Sequence, residues 1–201
     1  MRRITRSSLC VVLLGLLIVP AMAQRREYFT ETELDNIRDA QELNLRIPAY
    51  FKLAERRLIT LGLMNKTDKE LEKAKKEQEQ YEKEKAKAGP KAGPIKPPVD
   101  DLAYLKDFSR TELLRGYTQA LTEIMDNIDD AYEQKKDVRG PLEAFEKFTR
   151  ETRAIVAKFE AKTAVEKTAL QEALDRADEA NNGAKDALKK VPKTEKKPPL
   201  Y

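Results

Sequence analysis

The chain has 201 residues, 37% of them charged, and a formal net charge of +4 at pH 7. It contains no histidine, no tryptophan and a single cysteine. Histidine is the usual general base near neutral pH and the commonest metal ligand, so its absence excludes catalytic triads, Cys-His dyads and ordinary zinc or haem sites. Glu, Asp, Lys and Tyr are abundant but show no specific arrangement. We therefore predict a protein that is not an enzyme, with no catalytic, cofactor-binding or metal-binding residues.

Residues 1–23 have the layout of a secretory signal peptide. A basic start is followed by an apolar run at residues 9–19, and Ala21 and Ala23 offer the small side chains that a signal peptidase accepts. Cleavage after Ala23 would make the protein exported, to the periplasm or the extracellular space. The apolar run is shorter than the ~20 residues that cross a bilayer as a helix, so we expect no transmembrane segment after cleavage. An uncleaved signal would instead anchor the protein to the membrane.

Loss of the signal would change the charge balance. Three of the 39 basic residues and none of the 35 acidic ones lie in residues 1–23, so the mature chain would carry 36 against 35, a net charge of +1. Nucleic-acid-binding proteins usually concentrate a strong basic excess on one face, so we expect no nucleic-acid partner. Cys10 would be lost too, and helix packing without disulfides would have to hold the mature protein together.

The segment 24–65 is predicted to form an N-terminal helical hairpin. Thr30 and Glu33 have the spacing of a capping box, which starts a helix. Pro48 lacks the amide that a helix interior needs, so we expect a break or kink near residues 46–47 and a second helix with Pro48 in its first turn. The buried face of this second helix follows from three-and-four spacing, and it comprises Tyr50, Phe51, Ala54, Leu58 and Leu61.

The segment 66–99 is predicted to be a charged and proline-rich linker. Residues 66–88 are mostly Lys, Glu and Gln, with many opposite charges four residues apart, each pair worth about 0.2–0.5 kcal/mol on an isolated helix. This composition leaves two alternatives open, a solvated helix that extends the preceding helix or a polyampholyte linker. Residues 89–98 contain several prolines and are expected to be extended.

The segment 100–183 is predicted to form a long helical hairpin that packs on residues 24–65. Its first helix begins at a second capping box, Ser109 with Glu112. Gly140-Pro141 separates it from a second helix of about 40 residues, which would span about 60 Å. We expect that helix to end at Gly183 in a left-handed conformation. The remaining residues, 184–201, are lysine-rich and proline-containing and are expected to be a disordered basic tail.

Two groups of residues invite a functional interpretation and are better explained structurally. Residues 126–130 are rich in aspartate, but an EF-hand loop needs glycine at its sixth and glutamate at its twelfth position, where this chain has Ala131 and Asp137. Ser109 is the only serine outside residues 1–23, yet no base is available to activate it as a nucleophile. The spaced aromatic residues are expected to belong to the core, namely Phe145, Phe148 and Phe159.

Together these features predict an all-α fold, an elongated antiparallel helical bundle of three to four helices with a disordered charged linker and C-terminal tail. The expected function is that of a non-catalytic exported protein, a binding or structural component of the cell envelope. Its partner would be another envelope protein, or a second copy through self-association of the long helix. An enzyme that uses Glu, Lys or Tyr chemistry is a remote alternative.

A second alternative is a periplasmic helical chaperone or stress sensor, of the small family that carries Leu-Thr-x-x-Gln motifs. Residues 29–33 contain the threonine of that motif, but Phe29 stands in place of leucine and Glu33 in place of glutamine. The chain is therefore not identified as a member of that family.

Overall fold

The computed structural model describes residues 28–87, 97 and 100–192, and every element in this part of the chain is helical. The predicted all-α class is thereby confirmed. The predicted signal peptide and the tail from residue 193 onward lie outside the described residues, as do residues 88–96 of the proline-rich segment. The helices are α1 (Glu31–Asp39), α2 (Leu43–Thr60), α3 (Asp68–Lys87), α4 (Arg110–Glu133), α5 (Arg139–Val156) and α6 (Ala164–Lys190), with a 3-10 helix at Ala103–Asp107.

Helix α4 lies at the centre and packs against both α2 and α6. The start of α2 meets the end of α4, where Arg46 donates a hydrogen bond to Asn127 at 3.1 Å. The two helices are therefore antiparallel. The start of α4 meets the start of α6 through an ion pair of Arg110 with Glu166 at 3.4 Å, so α4 and α6 run parallel.

Helices α5 and α6 are antiparallel and form the most extensive helix pair among the described elements. Arg153 near the end of α5 pairs with Asp178 of α6 at 2.9 Å, and Arg139 at the start of α5 donates to the Val191 carbonyl beyond α6. The core of the molecule runs between α2, α4, α5 and α6. Its most enclosed large apolar residues are Ile47, Leu58, Leu114, Tyr117, Leu121, Ile124, Phe145 and Val156.

Both predicted capping boxes are confirmed. The Thr30 hydroxyl accepts from the Glu33 amide, and the Glu33 carboxylate accepts from the Thr30 amide at 3.0 Å. At the start of α4 the Ser109 hydroxyl accepts from the Glu112 amide, and Glu112 accepts from the Ser109 amide at 2.9 Å. Each box supplies partners for amides that have none within the helix.

We expect Ser109→Ala to lower the free energy of unfolding by about 1 kcal/mol, because the first turn of α4 loses its cap. Urea unfolding followed by circular dichroism measures this loss. Thr168→Ala is the matched control, since its exposed hydroxyl bonds only to the Ala164 carbonyl within α6. A loss for Ser109→Ala no larger than that for Thr168→Ala would contradict the capping role.

The predicted break near residues 46–47 is wrong. The chain breaks earlier, at residues 40–42, and Pro48 lies in the second turn of an uninterrupted α2. Arg46 explains the earlier break, because its guanidinium donates to the Ala40 and Gln41 carbonyls that follow α1. The amide missing at Pro48 costs α2 one hydrogen bond, which the buried face of this 18-residue helix offsets.

The predicted single helix of about 40 residues is also wrong. Helix α5 ends at Val156 and α6 starts at Ala164, so the segment predicted as one helix forms two helices that pack against each other. Thr163 is the N-cap of α6 and accepts from the Glu166 amide at 3.1 Å, while Glu166 accepts from the Lys162 amide.

The predicted end at Gly183 is corrected as well, because α6 continues through Gly183 to Lys190. Glycine is not in a left-handed conformation there. The reason is that Ala184, Ala187 and Leu188 continue the packed face of α6 beyond the glycine. The predicted tail therefore loses residues 184–190 to the helix.

The packed face of α6 is an alanine seam, with one polar residue in it. Small side chains let α6 lie close to its neighbours, and the seam consists of Ala169, Ala173, Ala177, Ala180 and Ala184, each at most 3% exposed. Within it, the Asn181 side chain donates to the Glu146 carbonyl at 2.8 Å and to the Thr149 hydroxyl at 3.0 Å.

Candidate functional site

The most site-like group of side chains is a buried ion pair between α1 and α2. Glu33 and Arg57 are each 1% exposed. The two guanidinium nitrogens donate to the two carboxylate oxygens, both at 2.9 Å. This two-pronged geometry is the strongest that an arginine and a carboxylate form. It joins residues that are 24 positions apart in the chain.

The other protons on the two terminal nitrogens of Arg57 are donated to backbone carbonyls. Nη1 donates to Leu53 at 2.8 Å and Nη2 donates to Tyr28. The Phe29 ring lies beside the guanidinium, with 5.0 Å from Cζ to the ring centroid. On the opposite side Arg57 passes directly over Gly116 of α4, where a β-carbon would lie 2.8 Å from Cδ and still nearer to Nε. Glycine is therefore the residue that leaves room for Arg57.

Glu33 has two further partners besides Arg57. Its Oε2 atom accepts from the Thr30 amide, and its Oε1 atom accepts from the Tyr104 hydroxyl at 2.8 Å. Burial by itself raises the pKa of Glu33. The hydrogen bonds and positive charge of Arg57, together with the hydrogen bonds from the Thr30 amide and the Tyr104 hydroxyl, bring that pKa below its ordinary value. Glu33 is thus held as a carboxylate. Burial and the same carboxylate raise the pKa of Tyr104 to about 12.

This network has the properties of a structural element. Each carboxylate oxygen of Glu33 and each terminal nitrogen of Arg57 has two hydrogen-bond partners, and no buried side-chain nitrogen or oxygen among the described residues lacks a partner. A catalytic acid or base needs a pKa near the working pH and access to a substrate. Glu33 has neither.

Sequence reasoning missed this network, although one signal was available. Arg57 lies three residues after Ala54 on the predicted buried face of α2, where a charge needs a partner. Neither the identity of that partner nor the space above Gly116 follows from local spacing.

A small cavity lies between α4, α5 and α6. Its volume is about 120 Å³, whereas small-molecule sites usually enclose about 300–1,000 Å³. Its lining is mostly apolar, formed by Met125, Ile128, Asp129, Leu142, Phe145, Ala180, Gly183, Ala184 and Ala187. We assign it no ligand.

The aspartate-rich residues 126–130 lie within α4, which continues to Glu133, so the predicted continuation of the helix is confirmed. Burial raises the pKa of Asp129, and the charges of Asp126, Glu133 and Asp130 raise it further. Within the described ranges, no three His, Cys, Asp or Glu side chains are grouped closely enough to hold a metal ion.

The other residues considered from the sequence also have structural surroundings. Ser109 is a helix cap, as described above. Phe145 and Phe148 are buried and stack with Phe51, the closer pair of ring centroids being 4.3 Å apart. Phe159 is buried under the Arg110 guanidinium at 4.3 Å. The predicted core role of these three aromatic residues is confirmed.

No family model, curated protein or solved structure matches this chain. Function must therefore be argued from the chain itself. None of the described helices combines the length and the apolar character needed to span a bilayer.

The remaining candidate is a surface rather than a pocket. Helix α3 has 20 described residues and none of them is buried. It contains seven lysines and seven acidic residues, so its net charge is zero. Its largest apolar side chains are Leu71, which is 51% exposed, and Tyr81, which is partly exposed.

Local interactions account for the helicity of α3. A capping box starts it, in which the Thr67 amide donates to Glu70 at 2.9 Å and the Glu70 amide donates to the Thr67 hydroxyl. Ion pairs four residues apart follow, such as Lys76 with Glu72 at 2.7 Å. Of the two alternatives for residues 66–88, a solvated helix is observed for residues 68–87, but it does not extend the preceding helix, because α2 ends at Thr60 and residues 61–67 are not helical.

Proposed function

We propose that this chain is a non-catalytic exported protein that binds another macromolecule of the cell envelope through α3. The remaining helices α2, α4, α5 and α6 are proposed to act as an elongated helical-bundle scaffold that carries it. Removal of the signal peptide at residues 1–23 is part of the same proposal, and it places the mature protein in the periplasm or outside the cell.

The observation that carries the proposal is the full solvation of α3. A helix without a buried face gains nothing from the core, and helices of its length are marginal in water unless capping and side-chain pairs support them. At 1.5 Å per residue, its 20 residues form a rod about 30 Å long. An element that contributes nothing to the core is best explained by contacts with another molecule.

The composition of α3 indicates what that molecule is. Interleaved charges with zero net charge offer no attraction for nucleic acid, which requires a basic excess. They suit a protein partner with its own alternating charges, which would pair along the rod. Leu71 and Tyr81 would supply the apolar contacts, because a few large side chains dominate most protein interfaces.

The sequence also predicts that a second copy of the chain could bind along the long helix. The structure gives less support to that form of self-association, because the predicted seam is divided between α5 and α6, which cover each other and pack on α4. An envelope protein bound to α3 is the partner we now propose.

The test is capture of partners from envelope extracts with the full chain and with a Leu71→Gln, Tyr81→Gln variant. Glutamine keeps the helix propensity and removes the apolar contacts. We expect recovery of the partner to fall about tenfold or more, equivalent to about 1.4 kcal/mol of binding free energy.

The matched control is Leu45→Gln, Tyr132→Gln, because this leucine and tyrosine are also exposed, at 62% and 58%, but lie on α2 and α4. This control should recover the partner at the level of the unmodified chain. Equal losses for both variants would contradict a role for α3. Turnover of a small molecule by a chain that recovers no partner would overturn the non-catalytic proposal as a whole.

A further inference from the structure

Residues 28–39, here called the N-terminal cover, are attached to the rest of the molecule mainly by one ionisable group. Among the described residues, the polar contacts of the cover with the remaining chain involve Glu33 or Arg57, with three exceptions. The Tyr28 amide donates to Gln119, and where the cover joins α2 the Ala40 and Gln41 amides donate to the Ile37 and Asp39 carbonyls. The element on which α1 chiefly packs is α2, which carries Arg57.

The cover also shields apolar surface. Phe29 and Ile37 are 6% and 8% exposed and belong to the main core cluster. The Phe29 ring packs on the Tyr50 ring of α2, with 6.2 Å between centroids. Detachment of the cover would expose these side chains together with the part of α2 beneath them.

We propose that the N-terminal cover is an acid-released element, which detaches when Glu33 is protonated and exposes the apolar face of α2 while α4, α5 and α6 remain folded. Protonation removes the negative charge that compensates Arg57. A buried guanidinium without a counterion is strongly unfavourable, and separation of α1 from α2 lets it reach water.

The groups that face Glu33 fix the direction of the effect. Arg57 and, beyond Tyr104, Arg56 face it from α2, and Tyr104 faces it from the 3-10 helix. Gly116 and Gln119, which face the network from α4, do not titrate. Guanidinium and phenol groups in general hold their protons between pH 3 and pH 7, so a change of charge within this set of contacts comes from the Glu33 carboxylate.

Because the pKa of Glu33 is lower in the folded protein than its ordinary value of 4.5, the ion pair stabilises the closed cover fully above that value. The stabilisation is lost as the pH falls below 4.5 and passes through the folded pKa. Several exposed carboxylates also titrate there, including Asp100 and Asp178, whose pKa values are lowered by Lys106 and Arg153. Variants of Glu33 are therefore needed to assign the transition.

Methyl NMR of the isoleucines in the full chain reports on each part separately. Ile37 lies in the cover, Ile124 in α4 and Ile155 in α5. On acidification from pH 7 to about pH 3, we expect the native Ile37 signal to lose most of its intensity while those of Ile124 and Ile155 persist. Simultaneous loss of all three signals would mean global acid unfolding and would overturn the proposal.

Two variants test the role of the ion pair. Glu33→Gln should release the cover already at pH 7, with loss of the native Ile37 signal and retention of the Ile124 signal. A native Ile37 signal in this variant at pH 7 would also overturn the proposal. Asp35→Asn is the matched control on the exposed side of α1 and should behave as the unmodified chain does.

The double variant Glu33→Leu, Arg57→Met replaces the ion pair by apolar side chains, a change that other proteins tolerate when packing is preserved. It should keep the native Ile37 signal at pH 7 and at about pH 3. Release of its cover at the same pH as in the unmodified chain would show that another group is responsible. The proposal does not depend on the function of α3, since a failure of partner capture would leave these signals unchanged.

Discussion

Glu33→Ala is expected to lower the free energy of unfolding at pH 7 by about 3 kcal/mol. The substitution leaves the Arg57 guanidinium enclosed without its counterion and removes the acceptor of the Tyr104 hydroxyl proton. We expect the lower end of the 3–5 kcal/mol usual for broken buried pairs, because α1 can separate from α2 and so limit the loss. Urea unfolding followed by circular dichroism gives the value.

Asp35→Ala is the control for this substitution. It removes an aspartate of the same helix whose ion pair with Arg38 is 64% exposed on each side. Exposed pairs of this kind are worth about 0–1 kcal/mol, so its effect should be small. Comparable losses of unfolding free energy for the two variants would show that the buried ion pair of Glu33 stabilises the protein no more than an exposed one.

Gly116→Ala is expected to destabilise the protein by about 2 kcal/mol, although alanine has the higher helix propensity. The new β-carbon would overlap Arg57 at Nε and lie 2.8 Å from Cδ. Arg57 cannot move aside freely, because its nitrogens are held by Glu33 and by two backbone carbonyls. Thermal and urea unfolding of the purified variant measure the loss.

The same substitution at Gly183 should have the opposite sign. Gly183 is inside α6, and nothing in the described structure lies within 4 Å of the β-carbon position. Alanine should therefore stabilise the protein by about 0.5–1 kcal/mol through helix propensity alone. If Gly116→Ala were stabilising as well, Arg57 would be able to move away from the new β-carbon without cost, and the close contact would not explain the glycine.

The sequence predicted the starts of helices correctly where the residues that interact lie within one helical turn of each other. The capping boxes at Thr30 and Ser109 are of this kind, and both are observed. Two further pairs, Thr67 with Glu70 and Thr163 with Glu166, have the same spacing and were not predicted. The first is a complete capping box, whereas in the second Glu166 accepts from the Lys162 amide instead of the Thr163 amide. The first precedes a polar run, and the second interrupts a stripe of apolar residues that otherwise keeps helical spacing.

Features that depend on distant partners could not be predicted in this way. The burial of Arg57 requires Glu33 from α1, Tyr104 from the 3-10 helix and the empty space over Gly116, which no periodicity reveals. The early break before α2 depends similarly on Arg46, which satisfies carbonyls five and six residues back. The missing amide of Pro48 predicted the end of a helix, but the tertiary packing of α2 outweighs the loss of one hydrogen bond.

The position of Asn181 in the alanine seam has a consequence for the uniqueness of the fold. Alanines repeat every three or four residues along α6, so the seam by itself does little to distinguish registers that differ by one turn. The amide of Asn181 distinguishes these registers, because a slid helix would leave it in an apolar layer, away from Thr149 and the Glu146 carbonyl. Together with the ion pair of Arg153 with Asp178 and the hydrogen bond from Arg139 to the Val191 carbonyl, this amide selects one alignment of α6 on α5.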